Sequence, residues 1–172
     1  MIRPAKSWLT LILFLFFFLT IQVCIAWPFD FLFNTISVGD LAPDFTLEDL
    51  SGQEVTLSAL KGTPIILFFW TSWCPHCRHQ LSLLAKDYLK IKKSKIEILT
   101  INIKESKYKV SAFLKRYNSK FKTLLDRTGR VANLYDVEGV PTFYFISKSG
   151  KIIYISNLLP TNYIEKFVEA KE

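Results

Sequence analysis

Cys74 and Cys77 lie two residues apart in the stretch FFWTSWCPHCRHQ (residues 68–80), in a chain of 172 residues that holds only three cysteines. Two sulfurs at this spacing, on the first turn of a helix, can close a disulfide with little backbone movement. Cys74 falls at the helix N-terminus, where unpaired N–H groups and the macrodipole favour an anion. Cys77 lies one turn in and is placed to attack a mixed disulfide held on Cys74. Such a division of labour is that of thiol–disulfide exchange. Other chemistries of a cysteine pair fit less well. A structural bridge over so short a loop constrains the unfolded chain little. A zinc site needs about four ligands, and the neighbourhood adds only His76 and His79. Cu(I) accepts two thiolates, so a copper-binding metallochaperone stays open as an alternative. Exchange itself requires no metal and no cofactor beyond the redox-active Cys74–Cys77 pair.

The pair needs a platform, and the flanking sequence supplies one. PIILFFW (Pro64–Trp70) is an unbroken apolar run, the pattern of a strand buried on both faces. From Cys74 to Lys93 the period becomes helical, with Leu81, Leu84, Tyr88 and Ile91 on one side and Lys86, Lys90 and Lys93 on the other. DFTLEDLSGQEVTL (Asp44–Leu57) alternates on both sides of a Ser-Gly turn and predicts a hairpin. Ser58 is expected to cap a single helical turn that Gly62 ends. Downstream, strands are predicted over Ile96–Ile103, Thr123–Leu125, Thr142–Ser147 and Lys151–Ser156. Helices are predicted over Ser106–Asn118, Gly129–Tyr135 and Asn162–Ala170. The alternation, closed by a hairpin and a helix, predicts a mixed sheet flanked by helices.

The N-terminus is of another kind. Trp8–Ala26 carries no charge, follows Arg3 and Lys6, and leads into Trp27, Pro28 and Phe29. It fits an uncleaved signal anchor, with an aromatic belt at its end. It also fits a cleavable signal ending at Cys24-Ile25-Ala26. Both readings hold the N-terminus in the cytoplasm and place the remainder outside the cytoplasmic membrane. The expected organisation is a signal segment over 1–29, a linker over 30–37 and one globular domain over 38–172, with membrane contact through residues 8–29. The net charge is +7. It reads first as a solvated lysine surface, then as an attraction to anionic lipid or an acidic partner. No nucleic-acid-binding motif is present.

WCPHC after a buried strand, with GVPTFYFI (Gly139–Ile146) far downstream, resembles the thioredoxin superfamily. APDFTLEDLSGQEVTLSALKG before it and ILTINIKES…LLDRTGRVANLYDVEGVP after it are similar to the membrane-anchored TlpA/ResA-type redoxins. The resemblance covers roughly residues 38–170. It implies an α/β thioredoxin fold with an N-terminal hairpin and an inserted strand–helix unit within 96–118. It further implies that Cys74 attacks, Cys77 resolves, Trp73 borders the site, and Pro141 is a cis-proline facing the cysteines. There the Val140 backbone would pair with an extended client segment. The implied partners are client proteins with thiols or disulfides and a membrane electron donor or acceptor. A role in cytochrome c maturation is implied as well.

Two positions depart from the family pattern, and a third stretch partly matches another signature. Many TlpA/ResA-type proteins carry glutamate three residues after the second cysteine. Here that residue is Gln80, which cannot titrate, so the acceptor of the Cys77 proton is open, with Glu105 a candidate if the fold brings it near. His76 stands where most members have proline. Together with Pro75 it is expected to tune the potential, since a histidine that stabilises the Cys74 thiolate makes the pair a stronger oxidant. Thr71-x-x-Cys74 matches part of a peroxiredoxin signature, but Leu67 replaces its proline. A thiol peroxidase is a further alternative.

Overall fold

The computed structural model describes residues 35–117 and 120–169. The expectations for residues 1–34, including the anchor or signal, lie outside the described residues. Among those described, no helix is long and apolar enough to cross a membrane. The described residues from Ile36 onward belong to one compact unit.

The first strands, β1 (Thr46–Glu48) and β2 (Glu54–Thr56), form the expected antiparallel hairpin. The main sheet holds β3 (Ile65–Trp70), β4 (Glu97–Ile103), β5 (Lys122–Asp126), β6 (Thr142–Ile146) and β7 (Ile152–Ser156). Its order is β5-β4-β3-β6-β7. β4 runs parallel to β3 and β5, while β6 runs antiparallel to β3 and β7. The strand that leads to the cysteine pair, β3, is therefore the central one.

Period-two alternation divides β3 between two cores. Ile66, Phe68 and Trp70 join Cys77, Leu81, Leu84, Val110 and Phe143 on one face. Ile65, Leu67 and Phe69 join Leu99, Ile101, Tyr135 and Tyr144 on the other. Every residue of β3 is buried, which is why the run shows no polar alternation. Phe68 stacks on Phe143 across the β3–β6 pair, with centroids 4.4 Å apart. The first core is covered by helices α1 (Pro75–Lys86), α2 (Tyr88–Lys93) and α3 (Lys107–Tyr117), together with residues just before α5 (Glu165–Glu169). Leu57 and α4 (Arg130–Leu134) help to close the second.

Two local expectations are corrected. The helix predicted over Cys74–Lys93 is two helices, because the backbone at Asp87 leaves helical geometry (φ −89°, ψ 4°). The Tyr163 hydroxyl donates to Asp87 Oδ2 at 2.9 Å, a tether from the C-terminal segment that local periodicity cannot reveal. The turn after β2 is a 3-10 helix over Leu57–Leu60 with Thr56 at its cap position and no side-chain cap. Ser58 lies inside it and donates its backbone N–H to Asp44 Oδ1 instead.

Candidate functional site

Strand β3 ends at Trp70, and the next residues diverge sharply in exposure. Thr71 and Ser72 are buried, Trp73 is 62% exposed, and Cys74 is 5% exposed. Cys74 is the N-cap of α1, with extended backbone (φ −79°, ψ 116°). Its sulfur accepts the Cys77 backbone N–H at 3.4 Å, as a serine or aspartate would at an ordinary cap. Pro75 opens the helix where a missing N–H leaves nothing unsatisfied. The Cys74 thiol also reaches the Val140 carbonyl, donating at 3.5 Å. The Val140–Pro141 peptide is cis. Cys74, Val140 and Pro141, separated by 66 residues of chain, are thus brought together. Trp73 stands exposed beside them.

Both cysteines are free thiols, and Cys77 is fully buried. Burial, followed by its hydrogen bond with Cys74, pushes the Cys77 thiol up to about 12. At neutral pH Cys77 therefore holds its proton, and it can attack only when a base or a change in its surroundings removes it. Gln80 lies one turn further along α1 and is buried. Its Oε1 accepts the Leu159 backbone N–H at 2.9 Å, joining α1 to the C-terminal segment.

Glu105 is the most heavily bonded side chain of the site. It sits just after β4, and the chain turns to it through Lys104 at φ 55°. Its Oε2 accepts the Ser72 backbone N–H at 2.6 Å and Asn102 Nδ2 at 2.8 Å. Its Oε1 accepts the Ser72 hydroxyl at 2.7 Å and pairs with Lys109 Nζ at 2.6 Å. Burial pushes the carboxyl up, but the bonds from Asn102, Lys109 and Ser72 outweigh it and hold Glu105 below the usual carboxylate range. Two of these bonds hold Ser72, in the loop bearing Trp73 and Cys74, the others go to Asn102 and Lys109, and among the described residues none goes to Cys77. These bonds make Glu105 an anchor of that loop. His76 is exposed, and among the described residues it makes no hydrogen bond to the Cys74 sulfur.

Sequence reasoning missed Ser72, Asn102 and Arg78. Arg78 Nε donates to the Ser72 carbonyl at 3.0 Å, so Ser72 is held through its N–H, hydroxyl and carbonyl. Asn102 was visible as a polar residue in the apolar run ILTINI. Nothing local marks Arg78, apart from its place one turn beyond Cys74. Trp70 Nε1, Thr71 Oγ1 and Asn102 Oδ1, all near the ends of β3 and β4, are buried without hydrogen-bond partners among the described residues.

Comparison with known proteins finds relatives over most of the chain. Residues 38–155 match the AhpC/TSA family. The chain is 38% identical over 122 residues to the thiol-disulfide oxidoreductase ResA of Bacillus subtilis, covering 71% of this chain and 68% of that protein. It is 35% identical over 138 residues to ResA of Geobacillus kaustophilus, covering 80% and 79%. Among solved structures it is similar to the thioredoxin domain of a thiol-disulfide oxidoreductase from Bacteroides vulgatus. There the TM-score is 0.68 at 25% identity, over 78% of this chain and 97% of that one. A secreted disulfide oxidoreductase of Mycobacterium tuberculosis, homologous to E. coli DsbE, gives a TM-score of 0.61 at 29% identity, over 68% and 84%.

Proposed function

The chain belongs to the AhpC/TSA family, and from that premise we propose that it is an extracytoplasmic thiol–disulfide oxidoreductase that works as a reductase of client disulfides. The observation that carries the reading is the Cys74–Cys77 pair at the start of α1, facing the Val140 carbonyl beside cis-Pro141.

The exchange follows from the geometry. Cys74, as thiolate, attacks one sulfur of a client disulfide. A Cys74–client S–S bond forms, the client S–S bond breaks, and the departing client sulfur takes the electron pair and then a proton. The buried Cys77 loses its proton and attacks the Cys74 sulfur, closing the Cys74–Cys77 disulfide and releasing the second client thiol. Counting the proton Cys74 releases on becoming a thiolate, the client gains two electrons and two protons, and the enzyme pair loses them. A membrane electron donor would then restore the dithiol.

Direction is argued from how the sulfurs are held. A strong oxidant has a stabilised reduced form, which needs a well-stabilised thiolate. His76, the residue that could supply it, is exposed and makes no hydrogen bond to the Cys74 sulfur among the described residues, and this favours a reducing pair. The uncharged segment Trp8–Ala26 after Arg3 and Lys6 supports a tether to the outer face of the cytoplasmic membrane. With that placement, apocytochrome c cysteines awaiting haem are the client class we favour.

Equilibration against glutathione checks the direction. The expected potential lies near that of thioredoxin, about −270 mV, and a value near −120 mV would reverse the assignment. In a Cys77→Ala variant Cys74 stays joined to its client, so the trapped mixed disulfide identifies the client. Recovery of partners without paired cysteines would overturn the cytochrome assignment.

A further inference from the structure

Beside Cys74, on the side of α3, lies an open groove of about 420 Å³ lined by three aromatic side chains, Trp73, Tyr108 and Phe113, and three cations, Arg78, Lys109 and Arg116. Trp73 is 62% exposed and Tyr108 86% exposed. Exposed aromatic walls of this kind are common where a partner docks. The cations are arranged, not scattered. Arg78 is oriented by its bond to the Ser72 carbonyl and lies over the Phe113 ring, 5.9 Å from its centroid. Lys109 is fixed by Glu105. Among the described residues the lining holds no carboxylate, and Glu105, which pairs with Lys109, is 4% exposed and already engaged. What the groove presents to solvent is therefore positive charge over aromatic faces.

We infer that this groove is the docking surface for client segments carrying Asp or Glu within a few residues of the cysteine that reacts with Cys74. The inference rests on the oxidoreductase reading and adds the chemistry of the client. Arg78 lies one helical turn, about 5.4 Å of rise, from Cys74. An extended client advances about 3.3 Å per residue. A carboxylate two to four residues from the attacked sulfur therefore falls over Arg78 and Arg116 while intervening side chains rest on Trp73 and Tyr108. The opposite side of Cys74, at Val140 and Pro141, is left for the client backbone. A planar guanidinium held in place is suited to a carboxylate, and a peptide occupant also accounts for the aromatic walls.

The test uses the full chain, reduced, in neutral detergent, with two synthetic peptides. Each contains one Cys-x-x-Cys disulfide, flanked by glutamates in one peptide and by lysines in the other. Dithiodipyridine serves as an uncharged small disulfide. The glutamate peptide is expected to react about tenfold faster at low salt, the lower end of what electrostatic steering supplies. That ratio is expected to approach one in 1 M salt. Arg116→Glu, on the exposed face of α3, is expected to invert the preference. Equal rates for the two peptides at low salt, with normal reaction toward dithiodipyridine, would overturn the docking assignment and leave the enzyme reading standing. If exchange quickens only when phosphatidylglycerol is mixed into the micelles, the cations serve a lipid headgroup and the assignment is overturned in that way. Failure to react with any of the three disulfides overturns the oxidoreductase reading, and the client chemistry falls with it.

Discussion

Two buried polar side chains flank the cysteine pair, and they are built in opposite ways. On the α3 side, Glu105 carries a charge and accepts from Ser72, Asn102 and Lys109. On the C-terminal side, Gln80 is neutral and holds the Leu159 backbone. The charge is thus placed where it fixes the loop bearing Trp73 and Cys74, while the residue one turn beyond Cys77 is one that cannot take its proton. The comparison teaches that burial does not by itself mark an acid–base group. A carboxylate fully supplied with donors is held ionised and serves geometry.

The largest effect is expected from removing the charged side of this pair. Glu105→Ala leaves the Ser72 N–H and Asn102 Nδ2 without their acceptor, a loss on the order of 3 kcal/mol for groups of this burial. Thermal unfolding is expected about 10 °C lower, with client exchange slowed because Trp73 and Cys74 lose their anchor. Lys109→Gln removes only a partner that is 55% exposed and should shift stability by less than about 1 kcal/mol. If the two substitutions prove equally damaging, the anchor is the ion pair and not the Ser72 bonds.

An intermediate effect is expected with acid. The carboxyl of Glu105 is depressed from its ordinary value of 4.5. Its contribution is present in full above that unfolded value and is lost as pH falls through the lower folded one. Denaturant melts of wild type and Glu105→Gln between pH 6 and the acid limit should therefore converge below about 4.5. Parallel curves would assign the acid loss to other carboxylates.

The smallest effect belongs to the neutral side. Gln80→Ala unpairs one backbone N–H and should destabilise by about 1 kcal/mol, readable as a lower urea midpoint with unchanged slope. A loss as large as that of Glu105→Ala would show that the two flanks carry equal weight and would remove the asymmetry drawn above.

Much of the architecture was legible because its signals are local. The apolar run of β3, the hairpin at Ser51-Gly52 and the C-x-x-C pair before a helical period each depend on residues within one element. The cis form of Pro141 was expected from resemblance, and the Val140–Pro141 bond is cis, with the Val140 carbonyl meeting Cys74. The break at Asp87 was not legible, because it accompanies a hydrogen bond from Tyr163, 76 residues away. The Ser58 cap failed for the same kind of reason. Asp44, 14 residues earlier, takes the backbone N–H of Ser58.

The sequence by itself determined the chemistry: two thiols at exchange spacing, set between a buried strand and a helix, with a proline-marked strand to face them. Side-chain type and short-range periodicity suffice for that. Only the tertiary structure decided how the site is held and what it shows to a client. Glu105 reaches Ser72 across 33 residues, and Gln80 reaches Leu159 across 79. The groove forms because α3 places Tyr108, Phe113 and Arg116 beside Trp73 and Arg78. Contacts between elements depend on how the sheet orders its strands and on which helix faces it buries. The packing of both cores fixes them together, and no single stretch of sequence encodes them.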